Sequence, residues 1–375
     1  MKTWRHSLRA ATLALACLGG VQAMAAAITV GQVAPLSGRE AVQGRAYAAG
    51  LKLALDQANK AGVGGHRFTL VSENDGGRPE ETTALTTRLV TEHKPLVLAG
   101  FFGSRNIGDL VASGLLEREK LALVGYRITE LDIPSPWLYN VRANLRDEVQ
   151  KMAQHLATIG ITRLGVLHED GPGAEALATT VEGIARAAGQ QVQLRATYAA
   201  GTTRVTSAVD TFLAKPPQAI LILASGAATA AFIEEYRISG GAAQLFAQSG
   251  ADVEQLARRL GEDTLRGVAI AQVTPSPYRL VGRLAKELSD AVGANKELEP
   301  MVSYAMMEGY IAGKVIAEAA RRMGAQASRE AFVTALDSID AYDLGGYRIG
   351  YRNGQHQGSR FVDMTILSAT GRVRH

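Results

Sequence analysis

The 375-residue chain has a single cysteine, Cys17. No internal disulfide is possible, and no cysteine-based zinc or iron–sulfur centre can form. Aromatic residues make up only 6% of the chain and charged residues 20%. No long block of one charge appears and apolar residues reach 47%, so the chain is globular rather than disordered. Prolines are few, 11 against 40 glycines, and the glycines follow no collagen-like period. They suit many short turns.

Signatures of catalysis are missing as well. The Ser-Gly pairs at Ser37, Ser113, Ser225 and Ser249 all lack the preceding glycine of a G-x-S-x-G nucleophile turn. There is no H-E-x-x-H and no Walker loop. The seven histidines stand singly, which suits surface and turn positions better than metal ligation. Asp170-Gly171-Pro172-Gly173-Ala174 has the outline of a dinucleotide turn, but Pro172 removes an N–H where a phosphate would need one. No cofactor or metal is expected.

The formal charge is +4, and part of it sits at the front. Lys2, Arg5 and Arg9 precede an apolar run from Ala10 to Val21, followed by Ala23-Met24-Ala25 and Ala26-Ala27. A basic segment, a short apolar segment and an A-x-A site form a secretory signal. The run is too short to span a membrane comfortably. Cleavage is expected after Ala25, with Ala27 as the second position. Acylation at Cys17 is the alternative, but Ala14-Leu15-Ala16-Cys17 places its leucine one residue too late for a lipobox. Removing residues 1–25 takes three basic residues and no acid, leaving +1. The remaining bases are interspersed with acids, so no nucleic-acid-binding stripe is expected.

Beyond the leader the chain alternates strand and helix. Ile28–Pro35 is β-rich, and Tyr47, Leu51, Leu55 and Ala58 then fall on one helical face. Strands are expected at Arg67–Glu73, Leu96–Gly100 and Leu121–Gly125, and again at Arg163–His168, Val192–Tyr198, Ala219–Ala224 and Gln244–Gln248. Helices lie between them. This rhythm predicts an α/β fold with two doubly wound parallel sheets, helices on both faces. Pro277–Ser338 reads as mainly helical and is expected to pack back on one lobe.

In open α/β sheets, ligands bind beyond the carboxyl ends of the strands. Three such loops stand out in the first half. One carries Ser37. Another carries Phe102, Gly103, Ser104 and Arg105. The third carries Tyr126, Arg127, Ile128 and Thr129. Hydroxyls and backbone N–H groups near helix starts suit a carboxylate or small anion, and Arg105 or Arg127 can pair with it. Ordinary N-capping by Ser104 and Thr129, with solvated arginines, is the simpler alternative for each loop alone.

The order of motifs resembles a known family. A leader precedes I-x-V-G-x-x-x-P-L-S-G, then a helix ending Asp56-Gln57-Ala58-Asn59, then F-x-L-V-x-x-N-D. Gly103-Ser104, Tyr139-Asn140-Val141-Arg142, H-E-D-G-P-G, Ser225-Gly226 and Ser303-Tyr304-Ala305 follow. Together these resemble type I periplasmic solute-binding proteins of ABC importers, the branched-chain amino-acid (Leu/Ile/Val)-binding family. The resemblance implies a periplasmic-binding-protein-like type I fold, or Venus flytrap. Residues 26–143 with 275–346 would form the N-terminal lobe, and 144–274 with 347–375 the C-terminal lobe. Three crossovers would fall near Val141–Asn144, Val273–Pro277 and Gly345–Tyr351.

The resemblance also implies a periplasmic, monomeric receptor. It would bind a small-molecule ligand between the lobes, close about the hinge and dock on an inner-membrane ABC permease. Ser104 and the Tyr126–Thr129 loop match family ligand positions. Pro172 stands where the family usually has a tyrosine. Near Ser249, where an acid often receives a ligand ammonium, there is none. Ser225 completes the expected site, and Asp252 is expected to cap a helix. Those departures leave a small carboxylate, an amide or an aromatic acid open as ligands, with Phe102, Tyr126 and Tyr198 able to pack against a ring. Two other classes stay open: a periplasmic ligand sensor for a signalling partner, and a secreted α/β hydrolase.

Overall fold

The computed structural model describes residues 27–351, 354–367 and 373–374. The expected leader over residues 1–25, with Cys17, lies outside them. The first sheet is built from β1 (Ala27–Ala34), β2 (Arg67–Asn74), β3 (Val97–Phe102), β4 (Leu123–Arg127) and β5 (Leu138–Tyr139). Its order is β2-β1-β3-β4-β5, parallel throughout. Helices α1 (Ala41–Ala61), α2 (Pro79–His93), α3 (Ser104–Ala112) and α4 (Leu115–Arg118) connect these strands.

The second sheet holds β6 (Arg163–Asp170), β7 (Gln191–Ala199), β8 (Ala219–Leu223), β9 (Gln244–Ala247) and β10 (Ala269–Gln272). Around it lie α5 (Leu145–Thr158), α6 (Ala174–Ala187), α7 (Thr206–Ala214), α8 (Gly226–Ile238), α9 (Val253–Arg259) and α10 (Glu262–Leu265). The chain continues through α11 (Arg283–Gly293), α12 (Tyr304–Met323) and α13 (Arg329–Asp337) to the hairpin β11 (Tyr342–Asp343) and β12 (Arg348–Ile349). It ends with β13 (Asp363–Leu367) and β14 (Val373–Arg374), so the second sheet runs β14-β13-β10-β9-β8-β6-β7.

Both sheets bury their central strands on both faces, which is why VLAGFF in β3 and AILIL in β8 are apolar without alternation. The second sheet departs from the all-parallel expectation: β13 pairs antiparallel with β10, and β14 antiparallel with β13. The tail returns as an edge hairpin and needs no crossover helix.

The helices after Pro277 do pack on the first lobe. Val315, Ile316, Leu288 and Phe332 share a core with Val30, Leu51 and Val97. Helices α1 and α12 meet through glycines: a Cβ on Gly50 would lie 1.9 Å from Met306 O, and one on Gly309 would lie 2.0 Å from Tyr47 O. Only glycine permits that backbone approach. The first residue of α12 behaves differently. Tyr304 packs into the second lobe's core, with its hydroxyl 3.4 Å from Thr365 Oγ1, so α12 starts in one lobe and runs through the other.

Tyrosines tie the crossovers together. The Tyr347 hydroxyl lies 2.7 Å from Val141 O and 3.0 Å from Val273 O, and Tyr351 donates to Asn140 O at 3.0 Å. The third passage differs from the one expected at Gly345–Tyr351. Tyr347, Ile349 and Tyr351 are buried in the first lobe's core, and the chain leaves only afterwards, where Asn140 and Gln357 bridge. Their aromatic and branched side chains fill the core beneath the hinge, and this burial keeps the segment with the first lobe.

Candidate ligand-binding cleft

The carboxyl ends of the two sheets face one another across a cavity of about 560 Å³, lined by residues of both lobes. This is within the usual size of small-molecule sites. Phe102, Gly103 and Ser104 line it from the end of β3, and Arg127, Ile128 and Thr129 from the end of β4. Ser225 lines it from the second lobe, ahead of α8. The structure thus brings together seven of the residues singled out from the sequence.

The other five stand elsewhere. Ser37 accepts a hydrogen bond from Asn74 Nδ2 within its own turn, at 2.8 Å. Arg105 is exposed and lies 3.5 Å from Asp109, one helical turn on. Tyr126 is buried in a first-lobe cluster and lines a second cavity of about 620 Å³, between β5, the start of α5 and residues 354–360. Pro172 lines neither cavity. Ser249 is buried and engaged by Arg142 and Glu148. Asp252 caps α9 by accepting from Gln255 N at 2.9 Å, as expected.

Sequence reasoning found Arg127 but missed Arg142, Glu148 and Glu308 beside it. Arg127 grips Glu308 with two hydrogen bonds, Nε to Oε1 at 3.2 Å and Nη2 to Oε2 at 2.8 Å, while Nη1 donates to Gln43. Its guanidinium carbon also lies 5.5 Å from the centre of the Phe102 ring. Arg142 donates to Glu148 Oε1 at 2.7 Å and to Ser249 Oγ, and approaches Glu308 at 3.6 Å. Two arginines and two glutamates alternate through the hinge and balance in charge. Burial pushes the Glu148 carboxyl up; the Arg142 charge and the Ser249 hydrogen bonds oppose that shift. Burial works against the Arg142 charge too, and Glu308 and Glu148 outweigh it, leaving its pKa raised.

Two further carboxylates span the lobes. Glu40 stands at the N-terminus of α1 but does not cap it. Its side chain instead accepts the Ala227 N–H at the start of α8, at 3.1 Å, and an N–H of Gln43, also at 3.1 Å. Burial raises its pKa, and the Ala227 N–H pulls it down. Gln43 also donates to Gly250 O at 3.1 Å. Glu169, at the end of β6, accepts from Thr129 Oγ1 of the first lobe at 3.1 Å. It accepts as well from Tyr198 Oη at 3.3 Å and Gly201 N at 3.0 Å. Ser104 Oγ accepts the Thr129 N–H at 2.9 Å, so it holds the neighbouring loop rather than capping α3.

A signal for some of these was present. Glu169 ends a strand, where the same rule that selected Ser104 applies. Glu308 is a lone acid in the apolar stretch Tyr304–Gly309, and a buried charge demands a partner. Among the described residues, no group of three or more His, Cys, Asp or Glu is placed to hold a metal.

The chain thus combines two lobes, three passages between them and a cavity between opposed strand ends. A family model described as periplasmic binding protein matches residues 27–371. The chain belongs to the periplasmic binding protein family. A Leu/Ile/Val-binding protein homolog of Brucella melitensis is 24% identical to it, over 93% of this chain and 91% of the relative. A substrate-binding periplasmic protein of Ralstonia solanacearum superposes with a TM-score of 0.86 at 33% identity, covering 92% of this chain and 99% of that one. A possible leucine/isoleucine/valine-binding protein of Rhodopirellula baltica has the same fold, with a TM-score of 0.85 at 23% identity, over 95% and 98% of the two chains. The type I periplasmic-binding-protein architecture is therefore that of this chain.

Proposed function

We propose that this periplasmic binding protein is the extracytoplasmic receptor of an ABC importer, exported by the leader at residues 1–25. It takes a small polar organic ligand into the interlobe cleft, closes about the hinge, and presents the closed form to an inner-membrane permease. The observation that carries this reading is the lining of the cleft. Phe102, Ser104 and Thr129 come from one lobe, and Glu169, Ser225 and Ala227 from the other. A ligand touching both sides binds the closed state better than the open one, and that difference in affinity drives closure. The relatives named for leucine, isoleucine and valine support an amino acid or related acid or amide as the class to test first.

The test is ligand binding without turnover. Mature protein is screened by thermal shift against amino acids, amides and aromatic acids, and hits are measured by calorimetry. A ligand at about a hundred times its Kd should stabilise the fold by about 2.7 kcal/mol. Recovery of the ligand unchanged supports the reading. Failure of a broad panel, with turnover of any ester or amide, overturns it.

A further inference from the structure

In the cleft, the side chains expected to meet a ligand carboxylate are already hydrogen-bonded. Ser104 Oγ already accepts from Thr129 N, and Thr129 Oγ1 already donates to Glu169. The hydroxyl pair that the family resemblance would assign to a ligand carboxylate is thus committed within the protein. Glu40 and Glu169 already accept from two and three groups respectively.

Arg142 differs. It is 95% buried, with 5% of its surface exposed, and it lines both the 560 Å³ cleft and the 620 Å³ cavity beside it. A guanidinium carries five N–H groups. Nη2 uses its two on Glu148 and Ser249. The N–H on Nε and the two on Nη1 donate no hydrogen bond among the described residues, and the nearest carboxylate to Nη1, Glu308, is 3.6 Å away. Glu308 cannot come closer on equal terms, because both its oxygens are held by Arg127. These donors are free for an acceptor that enters from the cavities Arg142 lines.

We propose that Arg142 is the residue that receives the anionic oxygen of the ligand, and that the ligand is a carboxylate held at the hinge side of the cleft. This rests on the receptor reading above and refines it. A carboxylate is the acceptor favoured there, because hydrogen bonds between ionised partners are shorter and stronger than those to neutral oxygens. The position also couples binding to closure. Arg142 lies in the first crossover and touches Glu148 of α5 and Ser249 before α9, both in the second lobe. A ligand oxygen on Arg142 therefore binds where the lobes turn on one another.

The experiment uses matched ligand pairs, each carboxylic acid of the screen against its primary amide, on three mature proteins by calorimetry. These are the wild type, the Arg142→Gln single variant and the Arg142→Gln/Glu148→Gln double variant. The double variant removes both charges together, so that neither is left unpaired if the single variant fails to fold; circular dichroism verifies its fold. The expected result is that wild type prefers the acid by about tenfold to a hundredfold, the range for a hydrogen bond to a charged group. In the folded double variant that preference should vanish. If the preference persists in the double variant, or if wild type binds acid and amide alike, the Arg142 assignment falls while the receptor reading stands. If no member of the panel binds any of the proteins, both fall together.

Discussion

Thr129 Oγ1 donates a 3.1 Å hydrogen bond to Glu169 Oε2, joining the end of β4 in one lobe to the end of β6 in the other. Thr129 is itself held through its N–H by Ser104, and Glu169 by Tyr198 and Gly201. The closed arrangement therefore has a latch whose two halves are each positioned within their own lobe. Thr129→Val keeps the shape and removes the donor. It should weaken closure by about 1.5–3 kcal/mol, as for a hydrogen bond to a charged group. Small-angle scattering should show a larger radius of gyration than wild type with ligand present; an unchanged profile would remove the latch from the closing mechanism.

The arginine–glutamate ladder predicts a stability effect. Glu308 is 1% exposed and serves Arg127 directly and Arg142 at longer range. Glu308→Ala leaves two buried cations short of a partner. Breaking such a pair costs about 3–5 kcal/mol. Urea unfolding should show a fall of this size in the stability of the fold, with little change in the slope.

Glycine at position 226 is required on two sides. A Cβ there would lie 2.9 Å from Gly250 O, backbone of its own lobe, and 2.5 Å from Gln43 Nε2 of the other lobe. Gly226→Ala should lower the thermal midpoint of the free protein and also lower ligand affinity at least severalfold, read by calorimetry. Equal affinity would mean that the lobes need not approach this closely to hold ligand.

A pH dependence follows from Glu254. Its carboxyl accepts from Tyr278 Oη at 2.5 Å and from Tyr304 N at 2.9 Å, where α9 of the second lobe meets the start of α12. Burial, with the nearby Asp252 charge, pushes its pKa up to about 8. An acid whose folded pKa is raised binds more protons folded than unfolded, so stability falls as pH rises from about 4.5 to about 8. Glu254→Gln keeps an acceptor for both donors and cannot ionise. Thermal midpoints between pH 5 and pH 8.5 should fall less steeply for the variant than for wild type. Parallel curves would show that other groups set the pH dependence.

How far the sequence led can be judged from particular residues. The strands Val97–Phe102 and Ala219–Leu223 were legible because both faces are buried and neither strand can alternate. Ser104 and Thr129 were legible because a hydroxyl beyond a strand end has a place in the architecture. Arg142 and Ser249 lie 107 residues apart and meet only through folding, as Gln43 and Gly250 do across 207. Tyr347 and Tyr351 fall in the stretch 347–375 expected in the C-terminal lobe, although their rings lie under the hinge in the first.

What the sequence determined by itself is local: the export signal as an expectation, the strand–helix alternation, and the loops where a ligand would be met. Those follow from periodicity and residue type, which act over a few residues. Tertiary structure decided which charges cancel. It placed Glu308 and Glu148 against Arg127 and Arg142, turned Glu40 from a helix terminus toward the other lobe, and withdrew Ser249 from the cleft. The physical reason is that a buried charge is governed by its neighbours in space. A carboxylate 181 residues away from Arg127 in the chain is 2.8 Å away in the fold.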